Sequence, residues 1–490
     1  MKKILSRAAV VVFWLLVWQA AAMWVDNRIL LAGPADVCAR ILKELGRVEF
    51  YASAAGSLMR IIAGFLLGMI LGAAVGACAF FWHMTERILE PVVAAMKSVP
   101  VAAFVILVLI WSGSENLAVP ISFLVVFPYF YTQTMTGLAE TDAAQLAFAR
   151  VCGMRKRNRL LYVYRPALAP YLLGAVRVTI GMSFKSGIAA EVIGIPEFAI
   201  GTRLYMSKIY LDTAGVLAWT VVIVLLSFLC EKIMFFLLRG LLEMHIPPLT
   251  GHGKSSVRAN IRQDTQGFTI PAMSKTYQEK CVVSLPEITC GPGERLAIVG
   301  DSGSGKTTWL KMLMGLTDPD GMIKGNKKGD GTAEKAERNA VMKSVMQRKR
   351  SEGESLRQQE MIRISPAFQE DCLFLSETAE NNVRMVCAKE FEGQIRECLE
   401  TLLPAGAFAQ PAAELSGGMR RRTAVARAAL AGGGLIVLDE PFGGLDSENR
   451  KRLAAFVLEH QGNRVLIVTA HDEAEAALFL PDQTIRLPVA

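Results

Sequence analysis

Long apolar runs separated by short polar ones fill the first half of the chain, and then the pattern changes. Runs at about 57–81, 91–112, 117–138 and 214–238 each approach or exceed the ~20 residues a membrane-spanning helix needs. A fifth, 171–194, is interrupted by Arg177, Lys185 and Glu191. Ile4 to Val25, behind Met1-Lys2-Lys3, is of similar length. Ala20–Ala22 is similar to a cleavage site, but the length and the basic flank predict a retained helix entered from the cytosolic side. Between the first two runs, residues 34–47 alternate as a short amphipathic helix. After about residue 260 the apolar runs are short and strand-like, the rhythm of a soluble domain.

Six spans return the chain to the side where it began. Residues 139–170 hold Arg150, Arg155, Lys156, Arg157, Arg159 and Arg165, which predicts that this loop faces the cytosol. The first external loop runs against that rule, because it carries Arg28, Arg40, Lys43 and Arg47. Asp26, Asp36, Glu44 and Glu49 are interleaved with them.

Composition sharpens this division. The 490 residues are 52% apolar, with a mean hydropathy of +0.34. The net charge of +8 belongs to residues 1–250, with 22 Lys+Arg against 14 Asp+Glu; residues 251–490 carry 31 of each. The excess bears on membrane orientation, and no nucleic-acid partner is expected. The nine cysteines stand singly without a C-x-x-C pair, against a disulfide framework or a zinc site and in keeping with a reducing cytosol.

The chemistry gathers in the second half. Gly300-Asp301-Ser302-Gly303-Ser304-Gly305-Lys306-Thr307-Thr308 fits G-x-x-x-x-G-K-[ST]. The strand-like Arg295–Val299 precedes it and a helical stretch from Trp309 follows, the setting a phosphate loop needs. Its small residues let backbone N–H groups close round phosphates, and the helix N-terminus adds positive potential. Lys306 would reach the β- and γ-phosphates and the Thr307 hydroxyl would ligate Mg²⁺. This half is expected to bind ATP with Mg²⁺.

The first half, over roughly residues 1–240, resembles permeases of the nitrate, sulfonate and taurine group of binding-protein-dependent ABC importers. The resemblance rests on Leu31-Ala-Gly-Pro-Ala-Asp-Val37, Ser57-Leu-Met-Arg-Ile-Ile-Ala-Gly-Phe65, Lys97-Ser-Val-Pro-Val-Ala-Ala-Phe104, Ile110-Trp-Ser-Gly113 and Ala189-Ala-Glu-Val-Ile-Gly194. Its coupling segment, E-A-A-x-x-x-G, falls on Ala147-Phe-Ala-Arg-Val-Cys-Gly153, with Ala147 in place of the glutamate. Lys185 and Glu191, six apart, lie ~240° round a helix from each other and share no face. Lys185 reads either as a contact for an anionic substrate or as a lysine paired or snorkelling within the bundle.

The second half resembles ABC ATPases. Phe368-Gln369, Leu415-Ser416-Gly417-Gly418-Met419, Leu435-Ile-Val-Leu-Asp439-Glu440, Gly444-Leu-Asp446 and Val468-Thr-Ala-His471 follow the phosphate loop in that family's order. The resemblance implies that Gln369 touches Mg²⁺ or the attacking water. It implies that Asp439 holds Mg²⁺, that Glu440 polarises the water and that His471 bonds the γ-phosphate. Tyr277 would stack on adenine. Ser416, Gly417 and Gly418 would meet the phosphate of a second copy, with Asp446 at the crossing, which makes the protein a homodimer.

The expected architecture is therefore an all-α six-helix transmembrane permease domain (1–243), a linker (244–263) and an α/β P-loop ABC ATPase domain (264–490). A charged insertion at about 318–363 reads as a solvated loop or a partner contact. The expected function is ATP-driven import of a small organic or inorganic anion such as a sulfonate, taurine or nitrate. An external solute-binding protein would deliver it, across the inner membrane of a prokaryote, with the ATPase in the cytosol and lipid around the multi-pass half. An exporter half-transporter is the alternative. The short membrane half, the coupling-type loop and Ala412-Ala-Glu414 before the signature stand against it.

Overall fold

The computed structural model describes residues 2–488 apart from 28, 245, 250–258, 265–266, 278–279 and 321–362. The expected insertion at 318–363 thus falls almost wholly outside the described residues. Eleven helices come first: α1 (Lys2–Val25), α2 (Pro34–Leu45), α3 (Val48–Phe81), α4 (His83–Ser98), α5 (Val101–Ser112), α6 (Ala118–Ala139), α7 (Ala143–Val151), α8 (Lys156–Arg159), α9 (Arg165–Gly194), α10 (Ile200–Ile209) and α11 (Thr213–Glu243). The chain forms two compact units that do not follow chain order. One comprises residues 1–141 and 164–245, the other 142–163 and 246–490.

In the first unit α6 packs between α3 and α9. Gly64, Gly68, Gly72 and Gly76 recur every four residues along the α3 face that meets α6. A Cβ on Gly64 would lie 2.3 Å from the Val119 carbonyl oxygen, and one on Gly76 2.7 Å from that of Tyr131. Only glycine permits this backbone approach, the small-residue packing that joins helices where lipid supplies no hydrophobic drive. At the end of α9, Glu191 is fully buried. It accepts from the Ser57 hydroxyl at 2.6 Å and the Gly201 amide at 3.1 Å, while Ser57 Oγ accepts from the Ile200 amide at 2.8 Å. Arg60 stands 3.7 Å from the other oxygen and donates to the Glu197 and Phe198 carbonyls. One carboxylate therefore ties α3, α9 and the start of α10.

Among the described residues, three helices are long and apolar enough to cross a membrane: Val48–Phe81, Lys156–Gly194 and Thr213–Glu243. α4 and α5 add a fourth if they count as one crossing, although they bend by 106°. The run expected as one span at 91–112 is broken because Pro100 keeps Val99 extended and cannot continue a helix. α6 has the length of the span expected at 117–138. However, Tyr129, Tyr131, Thr132, Gln133, Thr134 and Thr136 dilute its apolar character, which a helix enclosed by two others tolerates. Two of the basic residues in the loop expected to be external are matched by acids. Arg40 pairs with Glu44 and Asp212 at 3.2 and 3.0 Å, and Arg47 pairs with Glu44 at 3.2 Å.

Lys185 lies on an exposed strip of α9 that also includes Gly174, Val178 and Ala189. Gly174 and Gly181 have open space where a Cβ would stand. Among the described residues Lys185 makes no ion pair or hydrogen bond, unlike Arg177, whose guanidinium sits 4.3 Å from the Phe235 ring centroid.

The second unit holds three sheets. β1 (Arg262–Asp264), β2 (Gly267–Ile270) and β5 (Ile288–Cys290) form an antiparallel sheet, and β3 (Met273–Tyr277) with β4 (Lys280–Leu285) forms a hairpin. β6 (Arg295–Val299), β7 (Ile364–Ala367), β8 (Leu435–Asp439), β9 (Val465–Ala470) and β10 (Gln483–Arg486) form a parallel sheet in the order β10-β6-β9-β8-β7. β8 and β9 are buried along their whole length, as the unbroken apolar sequences Leu435–Leu438 and Val465–Val468 require of strands covered on both faces. The helices are α12 (Lys306–Leu313), α13 (Ala379–Arg384), α14 (Ile395–Leu402), α15 (Gly417–Ala429), α16 (Ser447–Gln461) and α17 (Glu473–Ala477).

Residues 142–163, expected to be a cytosolic loop of the first half, belong by packing to this second unit. Asp142 caps α7 by accepting from the Ala144 amide. Phe148, Cys152, Met154, Tyr162 and Val163 then share one apolar cluster with Cys372, Phe374, Met385, Val386 and Ala431.

Candidate nucleotide site

Four neighbouring strands of the parallel sheet end at one edge, and each releases a residue singled out in the sequence. β6 runs into the glycine-rich loop, β7 into Phe368-Gln369, β8 ends at Asp439-Glu440, and β9 leads to His471. Crevices beyond the carboxyl ends of parallel strands are where open α/β sheets bind ligands.

The loop Gly300–Gly305 carries positive φ at Gly303 (87°) and Gly305 (89°). A Cβ on Gly305 would lie 2.7 Å from the Val282 carbonyl oxygen, so both its dihedral and its surroundings select glycine. Lys306 opens α12 and is 3% exposed; its ammonium donates to the Gly300 and Asp301 carbonyls at 2.5 and 3.0 Å. Ser304 Oγ is buried without a hydrogen-bond partner, whereas Asp301, Ser302 and Gly303 are exposed. A buried lysine, an unpaired hydroxyl and a helix N-terminus fit a triphosphate. Thr307 and Thr308, partly buried, follow on the first turn of α12.

Glu440 draws the remaining side chains together. Its carboxylate lies 3.4 Å from Lys306 Nζ, accepts from Gln369 Nε2 at 3.2 Å and stands 3.1 Å from His471 Nε2. Three of the four residues expected to act in hydrolysis thus converge on the carboxylate of the fourth. Beside it, Asp439 is buried and accepts from the hydroxyls of Thr469, at 2.7 Å, and Thr307. Burial pushes its carboxyl above the usual range and the two hydroxyls oppose that shift. The oxygen pair formed by Thr307 and Asp439 suits Mg²⁺, a hard cation that prefers such ligands.

The signature residues and the crossing residue sit at helix N-termini. Ser416 caps α15 by accepting from the Met419 amide at 3.3 Å, and Asp446 caps α16 by accepting from the Asn449 amide at 2.8 Å. Ser416, Gly417 and Asp446 are exposed, and Gly418 lies against the Gly444–Leu445 turn. Among the described residues neither Ser416 nor Asp446 bonds to the Gly300–Gly305 loop of its own chain, and each serves locally as a helix cap. Tyr277 ends β3, and its side chain lies outside the described residues.

Two arginines and a threonine that sequence reasoning passed over hold this edge. Arg421, buried on α15, donates to the carbonyls of Phe368, Gln369, Asp439, Glu440 and Pro441 and to Asp371. It therefore joins the Gln369 loop to the end of β8. Thr469, opposite Asp439 in the β8–β9 register, donates to Asp439 and accepts from the Glu440 amide at 3.0 Å. That bond helps hold Glu440 at a φ of 49°, uncommon for a side-chain-bearing residue. Arg427, six positions after Arg421, donates to the Asp371 and Cys372 carbonyls, both at 2.8 Å. Burial pushes its guanidinium down to about 10 and the neighbouring Cys152 and Cys372 thiols up to about 12. The run Arg420-Arg421-Arg422 was the available signal, but a basic run normally marks a solvated face.

Comparison with known proteins agrees with this geometry. Residues 64–243 match the family described as binding-protein-dependent transport system inner membrane component, and residues 285–443 match the family described as ABC transporter. A probable ABC transporter permease protein of Brucella melitensis is 26% identical over 207 residues, 42% of this chain and 84% of that protein. The taurine transport system permease protein of Escherichia coli is 25% identical over 234 residues, 46% and 85% of the two chains. On the other half, a sulfate/thiosulfate import ATP-binding protein of Thermosynechococcus vestitus is 30% identical over 226 residues, 45% of this chain and 60% of that one.

Proposed function

We propose that this chain, in which a binding-protein-dependent permease domain and an ABC ATPase domain are joined in one polypeptide, imports a small anion at the expense of ATP. The observation that carries the reading is the convergence of Lys306, Gln369 and His471 on Glu440, at the mouth of a phosphate loop, in a chain whose other half is of permease type. Glu440 takes a proton from the attacking water, Gln369 and His471 orient it, and Lys306 offsets charge on the phosphoryl group being transferred. Thr307 and Asp439, with Gln369 nearby, would hold Mg²⁺, which would supply further positive charge at the phosphates. Tyr277 stacks on the adenine base.

Two copies act together. Ser416, Gly417, Gly418 and Asp446 of one copy close over nucleotide on the loop of the other, and two six-span halves enclose one path. α1, α3, the α4–α5 pair, α6, α9 and α11 supply the six spans, with the ATPase in the cytosol of a prokaryote and an external binding protein delivering the solute. Lys185, an unpaired cation on an open strip of small residues, favours an anion such as a sulfonate, taurine or nitrate. ATP-dependent accumulation of labelled taurine, alkanesulfonate or nitrate in vesicles carrying the protein, with a matching binding protein, tests the reading. Efflux of amphipathic compounds with no uptake would favour the exporter instead.

A further inference from the structure

β9 runs Val465-Leu-Ile-Val-Thr-Ala470, and all six residues are buried. Thr469 is the polar residue in this otherwise apolar strand and is fully enclosed. A buried hydroxyl costs free energy unless it is bonded, so its partners show what it is for. In the parallel register Thr469 stands between Ile298 of β6 and Asp439 of β8. Ile298 has no polar side-chain atom, and both capacities of the hydroxyl go to the end of β8. It donates to Asp439 Oδ1 at 2.7 Å and accepts from the Glu440 amide at 3.0 Å.

Arg421 grips the same two residues from α15, donating to the Asp439 and Glu440 carbonyls. The amide and the carbonyl of Glu440 are thus each assigned to a separate side chain. Its φ of 49° explains the need, because side-chain-bearing residues avoid that region unless their surroundings hold them there. The carboxylate beyond this turn meets Lys306, Gln369 and His471. His471 follows Thr469 by two residues, so one hydroxyl fastens together the strand ends from which Glu440 and His471 project.

We propose that Thr469 is a positioning residue for hydrolysis: its hydroxyl fixes the turn at Glu440 against the end of β9 and so holds the Glu440 carboxylate in line with His471. The shape of the side chain does not account for its presence. Valine has nearly the same volume, and β-branched apolar residues suit a buried strand. Valine would, however, leave the Glu440 amide and Asp439 Oδ1 with one bond fewer each, and the turn would lose its tie to β9. The inference rests on Glu440 acting as the base.

The test compares full-length Thr469→Val and Thr469→Ser in lipid nanodiscs. Amide exchange is read on the protein without nucleotide or metal, and steady-state hydrolysis with both. Thr469→Val is expected to speed exchange of the Glu440 amide about 10-fold or more while leaving 465–468 unchanged. It should lower kcat about 10-fold with KM for ATP within about two-fold. Thr469→Ser, which keeps the hydroxyl, should return both readouts to within about two-fold of the parent. If valine prevents folding, Thr469→Ala is read in the same way. Parent-like values in the valine variant, or a change in only one of the two readouts, would overturn the proposal. So would losses that serine fails to restore, since those trace to the missing methyl group. In a Glu440→Gln background Thr469→Val should slow phosphate release no further, and an added 10-fold fall there would place its action elsewhere. Parent turnover in Glu440→Gln alone would remove the base reading and leave the exchange result standing.

Discussion

Nε2 of His471 lies 3.1 Å from Oε2 of Glu440, although the two residues follow different strands. They meet because β8 and β9 run parallel, pair in register from Leu435 and Val465 onward, and end at the same edge. Glu440→Gln keeps the shape but cannot accept the proton of the attacking water. Turnover is expected to fall by about 10²-fold or more, the scale of a lost general base, with ATP binding retained. Radiolabelled ATP binding and phosphate release on the same preparation check both parts, and undiminished release would dismiss the base assignment.

How far this site could be read in advance depended on how local each feature is. The Gly300–Thr308 loop is contiguous, and its glycines are demanded by dihedrals and by a neighbouring carbonyl, so spacing alone located it. Arg421 and Thr469 act at sequence separations of about 20 to 50 residues, and only the register of β8 on β9 and the course of α15 bring them to Asp439 and Glu440. The membership of 142–163 in the second unit was hidden for the same reason: Phe148 and Phe374 read as ordinary apolar positions until they share a cluster. Pro100, by contrast, was visible in the run at 91–112, and the apolar length of that run masked the break it makes.

Arg421 is expected to be costly to remove. Truncation to alanine leaves the carbonyls of Phe368, Gln369, Asp439 and Glu440 short of a donor in a buried place, and breaking such a network costs about 3–5 kcal/mol. Thermal unfolding of the full chain should show a large fall in midpoint, with Arg421→Lys intermediate. A midpoint within a degree or two of the parent for the alanine variant would mean that water replaces the guanidinium, and the joint between the Gln369 loop and β8 would lose its basis.

The Ser57–Glu191 pair makes a parallel prediction for the first unit. Ser57→Ala removes one of two hydrogen bonds to Glu191 Oε2 and also the acceptor of the Ile200 amide. The expected destabilisation is about 1–3 kcal/mol, the cost of leaving a buried polar group unsatisfied. Unfolding in detergent, followed by tryptophan fluorescence, reads it out. Stability equal to the parent would show that α3, α9 and α10 are held by packing alone.

Lys185 bears on the solute. Lys185→Glu reverses the charge at this position on the open strip of α9 and is expected to raise the half-saturating concentration of an anionic solute about 10-fold or more, whereas Lys185→Arg keeps the charge. Uptake into vesicles measures it. If the glutamate variant transports the same anion with unchanged half-saturation, Lys185 faces lipid instead of the path.

The central claim is that hydrolysis at Glu440 drives import through the permease half of the same chain. The most direct measurement is ATP hydrolysis by the protein in lipid vesicles, with and without candidate binding proteins loaded with taurine, other sulfonates or nitrate. The account predicts low basal turnover that rises several-fold, on the order of a 1 kcal/mol change in barrier, with one loaded binding protein and not with its empty form. High basal turnover that no loaded binding protein changes, but that amphipathic compounds raise, would contradict it.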